Sequence, residues 1–225
     1  MRALILCDGE PPSRELLHVQ VATADLIIAT DGAATWAQAA GVKPQVVIGD
    51  FDSLHQPHAG WEVVDAGAHA QQENSDAEKA LLLALERGAT EVVLLGATGQ
   101  RLDHTLANVW LAAKYHDRAA ITLLDDYGAC QIVSGRHALR TKAGSIISLV
   151  PLTPGVVVRT EGLKWPLAGP LEPGTRGLSN QAEGDEVVVE VASGLVAVMV
   201  VTEQCLCRQR SAIDERRRPG PGPLP

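Results

Sequence analysis

The chain has 225 residues, 46% of them hydrophobic and 20% charged, with 19 Lys and Arg against 27 Asp and Glu for a net charge of −8. That length holds one large domain or two small ones, and that composition excludes wholesale disorder. An acidic balance also excludes a chain whose main work is neutralising nucleic-acid phosphates. Only 3% of the residues are aromatic, with a single Phe at position 51, so the core must be built from Ala, Val, Leu and Ile.

The first half alternates short apolar runs with segments of helical period. ALILC (3–7) predicts a strand and SRELLHVQVA (13–22) a helix. LIIAT (26–30), a helix over ATWAQAA (34–40), VVIGD (46–50) and a weaker strand WEVV (61–64) follow. SDAEKALLLALERG (75–88) has Ala80, Leu81, Leu83, Ala84 and Leu85 at core spacing, with Gly88 as its stop. EVVLLGA (91–97), a helix from Asp103 to His116 and AITLLDD (120–126) complete the series. Near-continuous β-branched runs between helices predict a mainly parallel sheet covered on both faces, so residues 1–126 read as an α/β domain.

Residues 127–207 show no helical period. CQIVSG, RHALRT, SIISLVP, GVVVRTEGL, DEVVVEV and GLVAVMVVT are short and alternating or β-branched, with ASG (192–194) as a hairpin signal between two Val-rich runs. An all-β sandwich domain is expected there. Residues 208–218 hold five Arg against two acidic groups, and RPGPGPLP closes the chain, so 208–225 reads as a disordered Arg/Pro/Gly-rich tail. The four cysteines form no CxxC pair and no zinc spacing, and Cys7 reads as a buried small hydrophobe. The N-terminal apolar run is too short for a signal peptide, and no stretch approaches the ~18–20 apolar residues that span a bilayer. A cytoplasmic protein with no membrane partner is expected.

In an open α/β sheet, ligands bind beyond the carboxyl ends of the strands, and four such positions here bring a carboxylate. LIIAT is followed by Asp31-Gly32, and VVI by Gly49-Asp50-Phe51-Asp52-Ser53. Asp50 and Asp52 point the same way if the segment is extended, and two close anions call for a cation such as Mg²⁺. The competing role is a solvated loop whose Asp caps a turn. Asp76 opens the helix that carries Lys79, where a cap and a surface ion pair compete with a third metal carboxylate and a phosphate-directed lysine. Gly96-Ala97-Thr98-Gly99-Gln100-Arg101-Leu102-Asp103-His104 puts two glycines between a strand and a helix, a turn suited to phosphate, with Arg101 as a fork for its oxygens. It is not a Walker A loop. Asp103 falls at the helix start, where capping explains it equally, and His104 reads as a base, a phosphate donor or a structural histidine. In the β half, Trp165 in GLKWPL is either a stacking platform for a flat or cationic ring or a core plug, and Ser179-Asn180 are turn formers or ligand donors.

Taken in order, Asp31-Gly32-Ala33-Ala34, Gly49-Asp50-Phe51-Asp52-Ser53, Ser75-Asp76-x-x-Lys79, Gly96-Ala97-x-Gly99-x-Arg101-x-Asp103-His104-x-x-Ala107-Asn108, Gly162-Leu163-Lys164-Trp165 and Ser179-Asn180 resemble the thiamine pyrophosphokinase family. The resemblance runs from about residue 3 to residue 203. It implies an N-terminal α/β domain, a C-terminal β-sandwich and a homodimer with thiamine at the subunit interface. It implies the reaction of ATP with thiamine to give AMP and thiamine diphosphate, with ATP as co-substrate. By the same resemblance Asp50, Asp52 and Asp76 hold Mg²⁺, and Asp52, Asp76, Arg101 and Asp103 serve catalysis. Asp31, Gly32, Lys79, Gly99, Arg101 and His104 line the nucleotide side, and Trp165, Ser179 and Asn180 contact thiamine. The family usually has a second glycine where Ala33 stands, and a backbone needing positive φ there would tolerate alanine poorly. Ser75 stands where Thr is usual, and Arg176 stands in a stretch that is often Ser-rich. The alternatives are a Mg-dependent nucleotide-sugar transferase of DxD type and a thiamine or nucleotide sensor without catalysis.

Overall fold

The computed structural model describes residues 1–49, 61–65 and 74–201. Strands β1 (Arg2–Leu6), β2 (Leu26–Thr30), β3 (Val46–Gly49), β4 (Glu62–Asp65), β5 (Glu91–Leu95) and β6 (Ala120–Asp125) pair side by side, all parallel, in the order β6-β5-β1-β2-β3-β4. Helices α1 (Arg14–Ala22), α2 (Asp31–Ala39), α3 (Asp76–Glu86) and α4 (Leu102–Lys114) connect them. Alternation along β1 splits the packing, because successive side chains of a strand leave opposite faces. Ala3, Ile5 and Cys7 join Ala80, Leu81 and Ala84 of α3 and Leu111 and Ala112 of α4 in one core. Leu4 and Leu6 join Leu17 of α1 and Ala33, Ala34 and Ala37 of α2 in the other. Small Ala faces on three of the helices let them sit close to the β-branched sheet. Cys7 is buried as expected, and burial followed by the charge of Asp8 pushes its thiol up to about 12.

Two helix starts follow local chemistry. Ser13 and Ser75 cap α1 and α3, accepting hydrogen bonds from Leu16 N and Glu78 N, each at 3.3 Å. α2 begins three residues earlier than its apolar pattern predicts, at Asp31 instead of residue 34. The apolar period is blind to a polar first turn, and Asp31 is favoured there by the helix dipole. Ala33 consequently lies inside the helix with no positive φ and is fully buried, so the alanine fits without backbone strain.

The parallel sheet does not stop at the second half. β6 turns directly into β7 (Gly128–Arg140) through an antiparallel hairpin, and β12 (Glu186–Val201) pairs along the length of β7. The outer edge of β12 pairs with β9 (Val157–Glu161) in its first part and with β8 (Ile146–Pro151) in its second. β10 (Ala168–Pro170) and β11 (Asn180–Gln181) extend those two branches. The branches enclose a third core built on Ile147, Leu149, Leu163, Val187, Val189 and Val196. No helix occurs among the described residues after Lys114, and the strands expected there as a sandwich are hydrogen-bonded into one sheet with the first six, as a branched continuation of it.

The hairpin expected at 192–194 is absent. β12 runs through this point with a bulge, in which Ala192–Leu195 stand opposite Ser134 alone. The segment is held outward by the β8–β9 connection: Leu195 N donates to Thr153 Oγ1 at 2.9 Å and Ser193 Oγ to Gly155 O at 2.5 Å. Because β7 is long enough to pair with both Val-rich runs in one direction, a glycine that signals reversal here absorbs a bulge, at φ +81°. No helix among the described residues is long and apolar enough to cross a membrane.

Candidate active site

A cleft of about 310 Å³ opens beyond the carboxyl ends of the central strands. β1 has β2 on one side and β5 on the other, so the chain leaves it in opposite directions, and the crevice lies at that switch point. Asp8, Asp31, Asp76, Arg101 and His104 all line it. Asp31, Asp76, Arg101 and His104, predicted separately, are thus brought together from the starts of three helices, and Asp8 joins them from the end of β1.

Two glycines make room for the carboxylates. A Cβ on Gly32 would lie 2.3 Å from the carboxyl carbon and one oxygen of Asp8, and a Cβ on Gly49 would lie 2.6 Å from the carboxyl carbon of Asp31. The glycines of the DG and GD pairs therefore serve close approach; neither has positive φ. Asp31 also accepts a hydrogen bond from Gly32 N at 2.7 Å. Asp8 is the acidic residue that the motif reading missed, although it stands just past ALILC, where the strand-end rule would have found it. Packing removes part of its solvation and raises its carboxyl above the ordinary range, against a lowering by His104. Asp76 sits in the first turn of α3 and accepts from Lys79 Nζ at 3.0 Å, so the structural role weighed for this pair is realised, with Asp76 still facing the cleft.

The glycine loop after β5 is shaped by contact with the end of β1. Cys7 N donates to Leu95 O and Gly9 N to Gly96 O, each at 2.8 Å, continuing the ladder past the strands. Gly96 has φ +70°, and a Cβ there would lie 2.6 Å from Cys7 O, so a side chain is excluded on two grounds. Asn108 reaches back from α4, its buried amide donating to Ala97 O at 2.7 Å. That is the physical reason for Asn at this spacing, and it leaves the amide facing the loop backbone.

Arg101 and Asp103 form a forked pair across the start of α4. Nε donates to Oδ1 at 3.1 Å and Nη2 to Oδ2 at 2.5 Å, and both side chains are about two-thirds exposed. The Arg101 guanidinium holds the Asp103 carboxyl down at about 2. His104 follows in the same first turn and lines the cleft with Gly99.

The β-half residues lie elsewhere. Trp165, Ser179 and Asn180 line no part of the cleft within one chain. Trp165 is 53% exposed, which removes the core-plug role, and Lys164 Nζ stands 4.9 Å from its ring centroid. Asn180 is buried and clamps the Trp165 backbone: Trp165 N donates to its Oδ1 at 3.1 Å, and its Nδ2 donates to Trp165 O at 2.6 Å. Ser179 has a positive φ of 55°, and its backbone N donates to Ser148 Oγ at 3.0 Å. Asn180 thus presents the indole from behind.

Asp50, Phe51, Asp52 and Ser53 lie outside the described residues, as does the tail 208–225. Among the described residues, no three His, Cys, Asp or Glu side chains gather as a metal site. The donors that do face the cleft nevertheless fit a hard cation. They are carboxylate oxygens, joined by the Thr30 hydroxyl, which lines the cleft at the N-cap of α2, caps nothing and has no hydrogen-bond partner among the described residues. Mg²⁺ asks for one or two such carboxylates, the rest of its shell being water and substrate phosphate.

Two family models match the chain, one described as thiamin pyrophosphokinase, catalytic domain, over residues 17–123, and one as thiamin pyrophosphokinase, vitamin B1 binding domain, over residues 136–196. Thiamine pyrophosphokinase 1 of Arabidopsis thaliana is 29% identical over 177 residues, covering 68% of this chain and 64% of that protein. The thiamine pyrophosphokinase of Bacillus subtilis strain 168 is 30% identical over 136 residues, covering 57% and 64%. The matched region therefore spans less than two thirds of the length of these curated relatives. The crystal structure of the Bacillus subtilis protein superposes with a TM-score of 0.77 at 22% identity, covering 90% of this chain and all of that one. The yeast thiamin pyrophosphokinase structure gives 0.72 at 15% identity, covering 89% and 86%. At these identities the superpositions establish the fold.

Proposed function

The chain belongs to the thiamine pyrophosphokinase family, and from that premise we propose that it transfers the pyrophosphoryl group of ATP to the hydroxyl of thiamine, giving AMP and thiamine diphosphate. The observation that carries the proposal is the gathering of Asp31, Asp76, Arg101 and His104 around one cleft, within the span matched to the catalytic domain. In this reading residues 1–126 carry the nucleotide chemistry and residues 127–207 the thiamine site. Neither the nucleotide-sugar transferase nor the sensor reading has an observation in its favour.

The thiamine oxygen forms a bond to the β-phosphorus, the bond between that phosphorus and the α,β-bridging oxygen breaks, and the electron pair leaves on the α-phosphate of AMP. The hydroxyl proton passes to water as the bond forms. Such a transfer asks the protein for alignment and for positive charge where negative charge develops. The backbone N–H groups of the Gly96–Arg101 loop would take phosphate oxygens, as glycine turns at helix starts do. Arg101 would neutralise the transferred group, with Asp103 holding the fork in place. Gly99 and His104 would flank the phosphates, and Asp31 and Gly32 the remainder of the nucleotide. Lys79 would hold Asp76 facing the cleft. Asp76 with Asp50 and Asp52 would hold Mg²⁺, which supplies charge neutralisation between the carboxylates and the polyphosphate.

Trp165, presented by Asn180 and flanked by Ser179, would stack on thiamine. Lys164 occupies one face of the indole, so a cationic ring would take the other. Since none of these three residues lines the cleft of its own chain, the reading is completed by a homodimer in which the β half of one protomer faces the cleft of its partner. A cytoplasmic setting goes with ATP as substrate. Trp165→Ala is expected to raise the KM for thiamine roughly tenfold while leaving the KM for ATP nearly unchanged, the loss of about one stacked cationic contact. Equal rises in both would assign Trp165 to packing. The activity itself is tested by incubating the full chain with ATP, Mg²⁺ and thiamine and separating the products. AMP and thiamine diphosphate in equal amounts are expected, and thiamine-independent or absent AMP formation would overturn the proposal.

A further inference from the structure

The turn between β6 and β7 is the junction of the two halves, and it carries two carboxylates that the reaction does not use. Asp125 Oδ1 accepts from Tyr127 N at 2.8 Å and Gly128 N at 3.0 Å, which sets the hairpin turn itself. Its other oxygen faces away from the turn and accepts from Thr98 Oγ1 at 2.8 Å. Thr98 lies in the middle of the glycine loop, between Gly96 and Gly99. Asp126, next in sequence, takes Ser13 N at 2.8 Å and Ser13 Oγ at 2.6 Å, which fixes the end of the loop between β1 and α1. The two loops are also joined to each other, because Glu10 N donates to Thr98 O and Gln100 Nε2 to Gly9 O, each at 2.8 Å.

Holding matters here because the glycine loop does not rest in an ordinary backbone minimum. Gly96 and Gly99 are both left-handed, and so is Gln100, at φ +48°. A non-glycine residue in that region persists only where its surroundings over-determine it. Glycines on both sides make the unbound loop costly to order. A charge-assisted hydrogen bond from the centre of the loop to a carboxylate that is itself anchored by two amides supplies the constraint.

We propose that Asp125 is a positioning residue, acting through Thr98 to hold the Gly96–Arg101 loop in the conformation that receives the polyphosphate. This rests on the kinase reading only for the identity of the ligand. Asp125 does not line the cleft, and its position is dictated by the hairpin, so the β half and the phosphate loop are ordered together.

Thr98→Val tests this without disturbing the amides that Asp125 caps, and Thr98→Ser restores the donor. Amide hydrogen exchange over residues 96–101 should be faster in Thr98→Val and in Asp125→Ala than in the wild type, and unchanged in Thr98→Ser. The KM for ATP should rise about tenfold in Thr98→Val, the effect of one hydrogen bond to a charged group, with the thiamine KM and the melting temperature near wild type. Unchanged exchange across the loop in Thr98→Val would overturn the proposal, as would parallel rises in both KM values that serine fails to rescue. The exchange measurement needs no substrate. A chain that makes no thiamine diphosphate would defeat the kinase reading, and the exchange result would still decide the role of Asp125.

Discussion

Arg101→Ala should lower kcat/KM for pyrophosphoryl transfer by roughly 10²–10³-fold, the usual loss on removing one donor aimed at developing charge. Folding should be little affected, because the side chain is 68% exposed and its partner is the equally accessible Asp103. Arg101→Lys should recover only a small part of the loss. An ammonium keeps the charge but cannot reproduce the two-pronged contact with Asp103 that fixes where the charge sits. The same pair makes a prediction about pH. The Asp103 carboxyl is held at about 2 chiefly by its hydrogen bond to Arg101, so it is ionised at neutral pH. Removing Arg101 releases that depression, and the carboxyl should move up toward the ordinary Asp value of about 3.9. An NMR titration of the Asp103 carboxyl carbon reads this directly. At neutral pH Asp103 is charged in both proteins, so the activity lost there belongs to Arg101. A wild-type titration near 4 would contradict the Arg101–Asp103 pairing, and a variant with most of its activity would remove Arg101 from the transfer.

Gly32→Ala should separate stability from activity. The residue lies in the first turn of α2, where alanine is the better helix former by about 1 kcal/mol, so the melting temperature should hold or rise. The new Cβ would stand 2.3 Å from the Asp8 carboxylate, which must move. A displacement of the order of 1 Å at a cleft built for alignment costs about 10²-fold in turnover, and that is the expected loss. A double-mutant cycle with Asp8→Ala identifies the cause. If the clash is with the Asp8 side chain, Gly32→Ala should cost much less in the Asp8→Ala background. Equal costs in both backgrounds would place the damage in the helix start.

The strand-and-helix alternation of residues 1–126 was legible because short, continuously apolar strands alternate with helices of clear apolar period. What the period could not show was the polar first turn of α2, which moved Asp31 from a loop into a helix. Nor could it distinguish a glycine that reverses the chain from one that absorbs a bulge. Gly194 has the same neighbours in sequence either way, and the choice was made by the length of β7, a tertiary partner. The site shows the same division. Arg101, Asp103 and His104 were visible because their spacing places them at a helix start after a glycine turn. Asp8 has no motif around it, so only the strand-end rule could have found it, and its tight fit against Gly32 exists only in three dimensions. Asn180 read as a turn former or a ligand donor, and by family resemblance as a thiamine contact. The fold spends its amide on the backbone of Trp165, a contact across 15 residues that no local pattern announces.

In the proposed transfer the β- and γ-phosphorus atoms move together onto thiamine. ATP labelled separately at the α-, β- and γ-phosphorus, followed through one turnover with Mg²⁺ and thiamine, tests it most directly. The β and γ labels should both appear in thiamine diphosphate while the α label stays in AMP. A β label retained in ADP, with only the γ label on thiamine, would contradict it.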